Sequence, residues 1–211
     1  MDANQRKAMQ GIIKETLSNL EENGFEAAYV NDKAELNTLI RTIIPEESLT
    51  ASGGSETLVE TGIMDFLRTK TKYTENRILA YSASFYLTSA NAVTMHGELY
   101  EVDGRGNRVS AMLFGPEKVI VIAGINKIVT DLHAAVERVK TKAAPPNCIR
   151  LGKDTPCTRT GHCVSPSFSS SHLSALGCTS PERICSNSVI FSRQNVKGRI
   201  IVILVGEEYG Y

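Results

Sequence analysis

A run of small residues stands where a predicted strand meets a predicted helix, in the stretch "SGGSET" at positions 52–57. A helix begins with unpaired N–H groups and a partial positive charge, and glycine lets a ligand come close to the backbone. These residues suit an anion-binding turn, in which Ser55 and Thr57 would add hydroxyl donors. The alternative is an ordinary glycine turn with a serine N-cap and a glutamate capping-box partner. The residues concerned are Ser52, Gly53, Gly54, Ser55, Glu56 and Thr57.

The stretch from 88 to 111, "TSANAVTMHGELYEVDGRGNRVSA", concentrates polar and charged side chains around two tight turns. Loops that follow strands in α/β sheets are common ligand sites, and "GRGNRV" has the glycines and arginines of a loop that contacts an anion. The predicted ligand-binding residues here are Asn91, Gly104, Arg105, Gly106, Asn107 and Arg108. Glu98 and Asp103 are candidates for a general base or nucleophile. A solvated polar loop is the alternative.

A third candidate is "GINKIV" at 124–129, where Asn126 and Lys127 follow a buried strand. An ordinary strand-to-helix loop explains the same residues equally well.

The cysteines all lie in the last third of the chain. In a cytosolic protein such clustering favours metal binding or free thiols over disulfides. Four thiolates can hold an iron–sulfur cluster or zinc, although the spacings of five, fourteen and six residues match no standard signature. The predicted metal ligands are Cys157, Cys163, Cys178 and Cys185, with Cys148 left over; buried structural thiols are the alternative.

The elements that must position these residues alternate between strand and helix, which indicates an α/β fold with a mainly parallel sheet. Helices are predicted over 3–22, 32–44, 108–115 and 126–144, and strands over 25–30, 49–51 and 117–124. The prolines at 145 and 146 are predicted to end the last helix. Segments 188–194 and 199–206 are predicted to form a closing hairpin. We expect one domain over 1–211, with an irregular cysteine-containing segment at 147–187.

Length and charge exclude several classes of protein. The chain has 211 residues, and its 23 basic and 23 acidic side chains give a net charge of zero, so nucleic acid is not an expected partner. The longest apolar runs, at 119–125 and 200–206, are too short to cross a membrane, and the polar start is not a signal peptide. We expect a cytoplasmic protein without a membrane partner. A homodimer is an alternative that the sequence leaves open.

Several motifs together resemble the lactate utilization (LUD) domain family. They are "SGGSETL", "AAPPNCIRL", "TPC", "SPERIC" and above all the block at 86–129, and the resemblance covers nearly the whole chain. It implies a three-layer fold like that of ribose-5-phosphate isomerase and the CoA transferases. It also implies a role in L-lactate or organic-acid utilization, with iron–sulfur lactate-oxidation proteins as partners.

The resemblance also bears on the site, because the related sugar-phosphate enzymes hold phosphate at a turn similar to "SGGSET". A small phosphorylated or carboxylated metabolite is thus the first expected ligand. An isomerase or acyl-transferring enzyme that uses Glu98 or Asp103 is the second hypothesis, and an iron–sulfur redox or assembly subunit is the third. One departure from the family is the fourteen-residue separation of Cys163 and Cys178, which puts a preformed four-cysteine site in doubt.

Overall fold

The structure is a computed structural model that describes residues 2–165 and 177–211. Its helices are α1 (Ala3–Glu22), α2 (Lys33–Ile43), α3 (Glu56–Glu60), α4 (Ile63–Lys70), α5 (Asn107–Leu113), α6 (Leu132–Arg138), α7 (Ala144–Arg150) and α8 (Pro156–Thr160). Its strands are β1 (Glu26–Val30), β2 (Leu49–Ser52), β3 (Lys72–Thr74), β4 (Phe85–Thr88), β5 (Ala92–Thr94), β6 (Leu99–Asp103), β7 (Lys118–Gly124), β8 (Ile128–Val129), β9 (Asn187–Phe191) and β10 (Ile200–Val205).

The main sheet of the described chain has six strands in the order β1-β10-β7-β4-β2-β3, and every neighbouring pair is parallel. Its central strands, β7 and β10, are runs of β-branched and aliphatic residues that are buried on both faces, as parallel sheets require. The predicted α/β fold with a mainly parallel sheet is confirmed.

Alternate residues of the central strands belong to two separate cores, because successive side chains of a strand point to opposite faces. Val119 and Val121 pack with α1, α5 and part of a second sheet. Ile120 and Ile122 pack with α2, α3 and α4 on the other face. The sheet is therefore the middle layer of three.

The second sheet has four strands within the described residues, in the order β8-β5-β6-β9. Its antiparallel pairs are β5 with β6 and β6 with β9. One side faces the main sheet, and the other packs against α6 and the π-helical segment Val139–Ala143.

The predicted strand–turn–helix at 49–66 forms, but its helix is divided in two. Ser55 caps α3 through a hydrogen bond from the Leu58 N–H, and Gly62 separates α3 from α4 with a φ of 77°. A residue with a β-carbon is strained at positive φ, so glycine is favoured at the junction between the two helices. As a result α3 has five residues, and its dipole is that of a little more than one turn.

Two sequence predictions are wrong. The helix predicted over 126–144 begins only at Leu132, after β8, and it does not end at the prolines. It continues through α6 and the π-helical segment into α7, whose first turn contains Pro145 and Pro146. The predicted hairpin at 188–206 does not form, since β9 pairs with β6 and β10 lies between β1 and β7.

The segment 147–187 is less irregular than its composition indicates, because it contains the end of α7 and all of α8. Its residues 166–176 lie outside the described residues. Among residues 2–165 and 177–211, no helix combines the length and the apolar character needed to cross a membrane.

Candidate functional site

A polar cavity of about 90 Å³ lies beyond the carboxyl ends of the main-sheet strands. The residues that follow β2, β4 and β7 contribute to its wall, as expected for ligand sites of open parallel sheets. Further wall residues come from β6, α7 and the last residue of the chain. The lining residues are Gly54, Ser55, Glu56, Thr57, Thr88, Ser89, Ala90, Asn91, Val102, Arg108, Lys127, Ala143, Asn147, Arg150 and Tyr211.

Lys127 is a buried lysine in the wall of this cavity, with 3% of its surface exposed. Its Nζ donates to Thr57 Oγ1 at 2.9 Å and to Ser89 Oγ at 2.8 Å. Burial lowers the pKa of Lys127 to about 7. The Arg138 charge acts in the same direction. A neutral and a protonated amine are therefore both accessible near physiological pH.

Arg138 is a second buried cation behind the same wall. Its Nε donates to the carbonyl of Asn126 at 2.9 Å and its Nη1 to the carbonyl of Asn91 at 2.7 Å. Burial lowers its pKa to about 10, so it stays protonated at pH 7. None of the ion pairs within the described residues includes Lys127 or Arg138. Their positive charge is thus not neutralised by a paired carboxylate.

Arg108, in contrast, has protein acceptors for both terminal nitrogens of its guanidinium group. Its Nη1 donates to Glu101 Oε2 at 2.6 Å and to the Ser89 carbonyl, and its Nη2 donates to Asn91 Oδ1 and the Val102 carbonyl. Glu101 is completely buried. Burial raises the pKa of Glu101, and the Arg108 charge opposes that rise. The pair holds the cavity wall together and adds little net charge to it.

The turn after β2 supplies the remaining donors. Within the described residues, the backbone N–H groups of 54–57 have no protein acceptor, and all four residues line the cavity. Arg150 lines the opposite side, where its Nη1 lies 3.1 Å from Glu56 Oε1. The electropositive character of the cavity therefore comes mainly from Lys127 and Arg138, with these N–H groups as hydrogen-bond donors.

A second cavity of about 180 Å³ lies beside the same turn, with Gly53 and Gly54 in its wall. Gly54 lines both, and a β-carbon built on it would meet no atom within 4 Å. The second cavity has two tyrosines, Tyr73 and Tyr86, in its wall. Among the residues predicted from sequence, Ser52, Gly53, Gly54 and Asn107 line it.

The two predicted catalytic carboxylates lie elsewhere. Asp103 accepts the backbone N–H groups of Arg105 at 2.9 Å, Gly106 at 2.8 Å and Arg108 at 2.9 Å, so it organises the turn that enters α5. Burial opposes ionisation of Asp103, but these hydrogen bonds lower its pKa overall. Glu98 accepts from Thr94 Oγ1 within the β5–β6 hairpin. Neither residue lines either cavity.

Most of the other predicted residues shape or support the backbone around the site. Gly106 takes a φ of 82° at the start of α5, and Arg105 is exposed. Gly104 packs against the backbone of Ile184, where a β-carbon would come within 3.2 Å. Asn126 holds the segment that follows β10, since its Nδ2 donates to the carbonyl of Gly210 at 3.1 Å.

All five cysteines are free thiols, and Cys148 is buried. Burial raises the pKa of Cys148 to about 11, and the neighbouring Cys157 and Cys185 contribute to the rise. Cys185 Sγ lies 3.5 Å from Lys140 Nζ. Across the described residues, no three His, Cys, Asp or Glu side chains are grouped so that they could hold a metal. The thiols as placed do not fit an iron–sulfur cluster or zinc, and the four-cysteine site stays a prediction from sequence.

Sequence reasoning did not select several residues of the site. Ser89 follows a buried strand within a stretch already singled out, so its position could have identified it. Glu101, Arg138 and Arg150 carry no local signal, because only the packing of β6, α6 and α7 brings Arg150 into the cavity wall and Glu101 and Arg138 behind it.

Together these features define an α/β protein whose parallel sheet carries a small electropositive cavity beyond its strand ends. The LUD domain family model matches residues 13–205, and the chain belongs to that family. No curated protein sequence matches the chain.

The solved structures that match the chain include two of low sequence identity. A DUF162 family protein from Deinococcus radiodurans is 13% identical with a TM-score of 0.52, and the match covers 93% of this chain and 97% of that one. This likeness supports the fold. The delta subunit of eIF2B from Chaetomium thermophilum is 17% identical with a TM-score of 0.34, over 46% of this chain and 48% of that one.

Proposed function

We propose that this LUD-domain protein binds a small carboxylated or phosphorylated metabolite in the cavity at Lys127 and serves L-lactate or related organic-acid utilization. The observation that carries the proposal is the pair of buried basic side chains, Lys127 and Arg138, neither of which has a carboxylate partner in the described chain. A buried charge is costly unless it is compensated, and an anionic ligand would supply the compensation.

The size of the cavity limits the ligand. Its volume of about 90 Å³ is well below the roughly 300–1,000 Å³ of pockets that enclose drug-sized molecules. A compact acid of a few heavy atoms, or the anionic end of a larger metabolite, suits this space. The hydroxyl groups of Thr57 and Ser89 and the N–H groups of 54–57 would orient its oxygen atoms.

The family supports the metabolic assignment. In that role the protein would act in the cytoplasm, next to iron–sulfur proteins that oxidise lactate. Co-purification with such proteins from cells grown on lactate tests this part of the proposal.

The binding proposal is tested by thermal unfolding and calorimetry with L-lactate, pyruvate, inorganic phosphate and a sugar phosphate. A ligand that binds the native state raises the melting temperature. Lys127→Met removes a charged hydrogen-bond donor worth about 1.5–3 kcal/mol, so affinity should fall about tenfold or more. Lys140→Met, at a buried lysine that does not line the cavity, should bind normally. Equal affinity of the two variants would refute the assignment.

A further inference from the structure

Lys127 differs from a simple anion-binding lysine in its surroundings. Its two hydrogen-bond partners are neutral hydroxyl groups, and both are placed to accept its protons. Thr57 Oγ1 in turn donates to the carbonyl of Tyr209 at 3.3 Å, which leaves its oxygen as an acceptor toward Lys127. A neutral amine that donates both of its hydrogens to two acceptors keeps its lone pair for a third group, and Lys127 is one of the residues that line the cavity.

The charges around Lys127 favour the neutral amine. Burial has the largest effect, Arg138 and Arg108 act in the same direction, and Glu101 and Glu60 oppose them. A lysine that is desolvated beside another cation is an activated nucleophile, because a substantial fraction carries a free lone pair near pH 7. The same cations attract a carboxylate to the cavity.

We propose that Lys127 is a nucleophilic lysine that forms a reversible imine with the carbonyl carbon of a small 2-oxo acid. This inference rests on the proposed function, since it uses the same cavity and the same class of ligand. It adds a covalent step and restricts the ligand to an acid with a carbonyl group next to its carboxylate.

The step balances without an oxidant or a cofactor. The lone pair of Nζ attacks the carbonyl carbon, and a carbinolamine forms. The carbonyl oxygen then leaves as water with two hydrogens, both of which come from the amine. The hydroxyl groups of Thr57 and Ser89, at 2.9 and 2.8 Å from Nζ, are placed to relay these protons. When the imine is protonated, the carboxylate of the acid balances its charge.

The experiment is borohydride trapping with pyruvate as the probe, followed by intact-mass measurement and peptide mapping. We expect one reduced adduct per chain, located at Lys127. Lys127→Arg should give no adduct, because arginine keeps the charge and forms no imine under these conditions. Lys140→Arg should be labelled as the wild type is. Trapping should increase as pH rises from 6 to 8, since the free amine is the reactive form.

Calorimetry with L-lactate, which has no carbonyl group, separates the two proposals. If lactate and pyruvate bind at Lys127 but wild-type protein gives no adduct there, the imine is wrong and the binding function stands. If labelling is spread over surface lysines, the imine is also wrong. If none of the small acids or phosphates binds and no adduct forms, both proposals fail. Peptide mapping of the wild type locates the adduct even where a variant folds poorly.

Discussion

The side chain of Arg108 lies directly against Gly53, and a β-carbon at position 53 would stand 2.8 Å from both Cγ and Cδ of Arg108. Glycine at this position therefore lets the arginine cross the turn after β2 and reach Glu101. The strand-end turn and the buried ion pair depend on each other through this contact.

Gly53→Ala should destabilise the fold by about 1–3 kcal/mol, because the added methyl group overpacks the turn and displaces Arg108. Gly54→Ala is the matched control, since its new β-carbon meets nothing within 4 Å. Urea unfolding of both variants measures the difference. Similar losses at the two positions would contradict the role given to Gly53.

Arg108→Met should cost about 3–5 kcal/mol, because it leaves the carboxylate of Glu101 buried without its partner. The double variant Glu101→Leu/Arg108→Met should lose less than the single one, since it removes the charge as well. A double-mutant cycle from denaturant unfolding tests this. A double variant that is less stable than Arg108→Met would show that Glu101 stabilises the fold even without Arg108, so the two residues do more than cancel each other's buried charge.

Lys127 should make stability depend on pH above neutrality. Its pKa is about 7 in the native protein, against about 10.4 in an unfolded chain. Between these values the unfolded chain holds a proton that the native protein does not, so the free energy of unfolding rises with pH. Below pH 7 the native protein carries the full cost of the buried charge.

Lys127→Met abolishes this contribution, so its stability relative to wild type should be most favourable near pH 6 and should decline toward pH 10. The total change is on the order of a few kcal/mol, at about 1.4 kcal/mol per pKa unit. Subtracting the two unfolding curves cancels groups that titrate in both proteins. A difference that stays constant with pH would mean that the Lys127 pKa is not depressed.

Gly54→Val should lower the affinity for a small anion about tenfold or more while leaving stability nearly unchanged. A β-carbon at position 54 meets no protein atom within 4 Å, so valine fits the fold. Because Gly54 lines both cavities, the valine side chain would occupy space that is open to a ligand. A milder loss is expected for Ser55→Ala. Calorimetry measures the affinities, and an anion that binds Gly54→Val normally would place the site elsewhere.

Anaerobically prepared protein should contain neither iron nor zinc in stoichiometric amount, because Cys185 and Cys157 contact Lys140 and Thr155 and no described thiols are grouped as metal ligands. Metal analysis and an absorbance spectrum check this. Iron that is lost in both Cys157→Ser and Cys185→Ser would instead establish a cluster on these cysteines.

The sequence carries strong signals for the main sheet and weak ones for the site. β7 is a continuous β-branched run, and α1 and α2 have clear helical periodicity with caps, so local physics defines them. The region after Asn126 differs from the prediction. Its apolar residues have helical spacing, but the first of them form β8, because they pair with β5, a strand that is distant in sequence. The paired prolines are typical of a helix end, yet they fit equally well in a first helical turn.

In the site, too, some residues could be predicted from local sequence and others depend on tertiary packing. Gly54, Thr57 and Lys127 follow strands, and their place at the strand ends could be predicted. Glu98 and Asp103 are candidates because of their residue type alone. Residue type does not show whether a carboxylate is free for catalysis or, like that of Asp103, accepts backbone N–H groups in a turn. Glu101 has the pattern of an ordinary strand residue, and its burial beside Arg108 follows from the packing of two sheets.

The position of β10 has a consequence for biosynthesis. This strand contains residues 200–205 but fills the gap between β1 and β7, near the middle of the main sheet. While the ribosome is still making the first 199 residues, β1 and β7 each have an exposed edge that can pair with another chain. Until β10 has been made, the sheet and the cavity beyond its strand ends are incomplete, so these open strand edges are an aggregation hazard during synthesis.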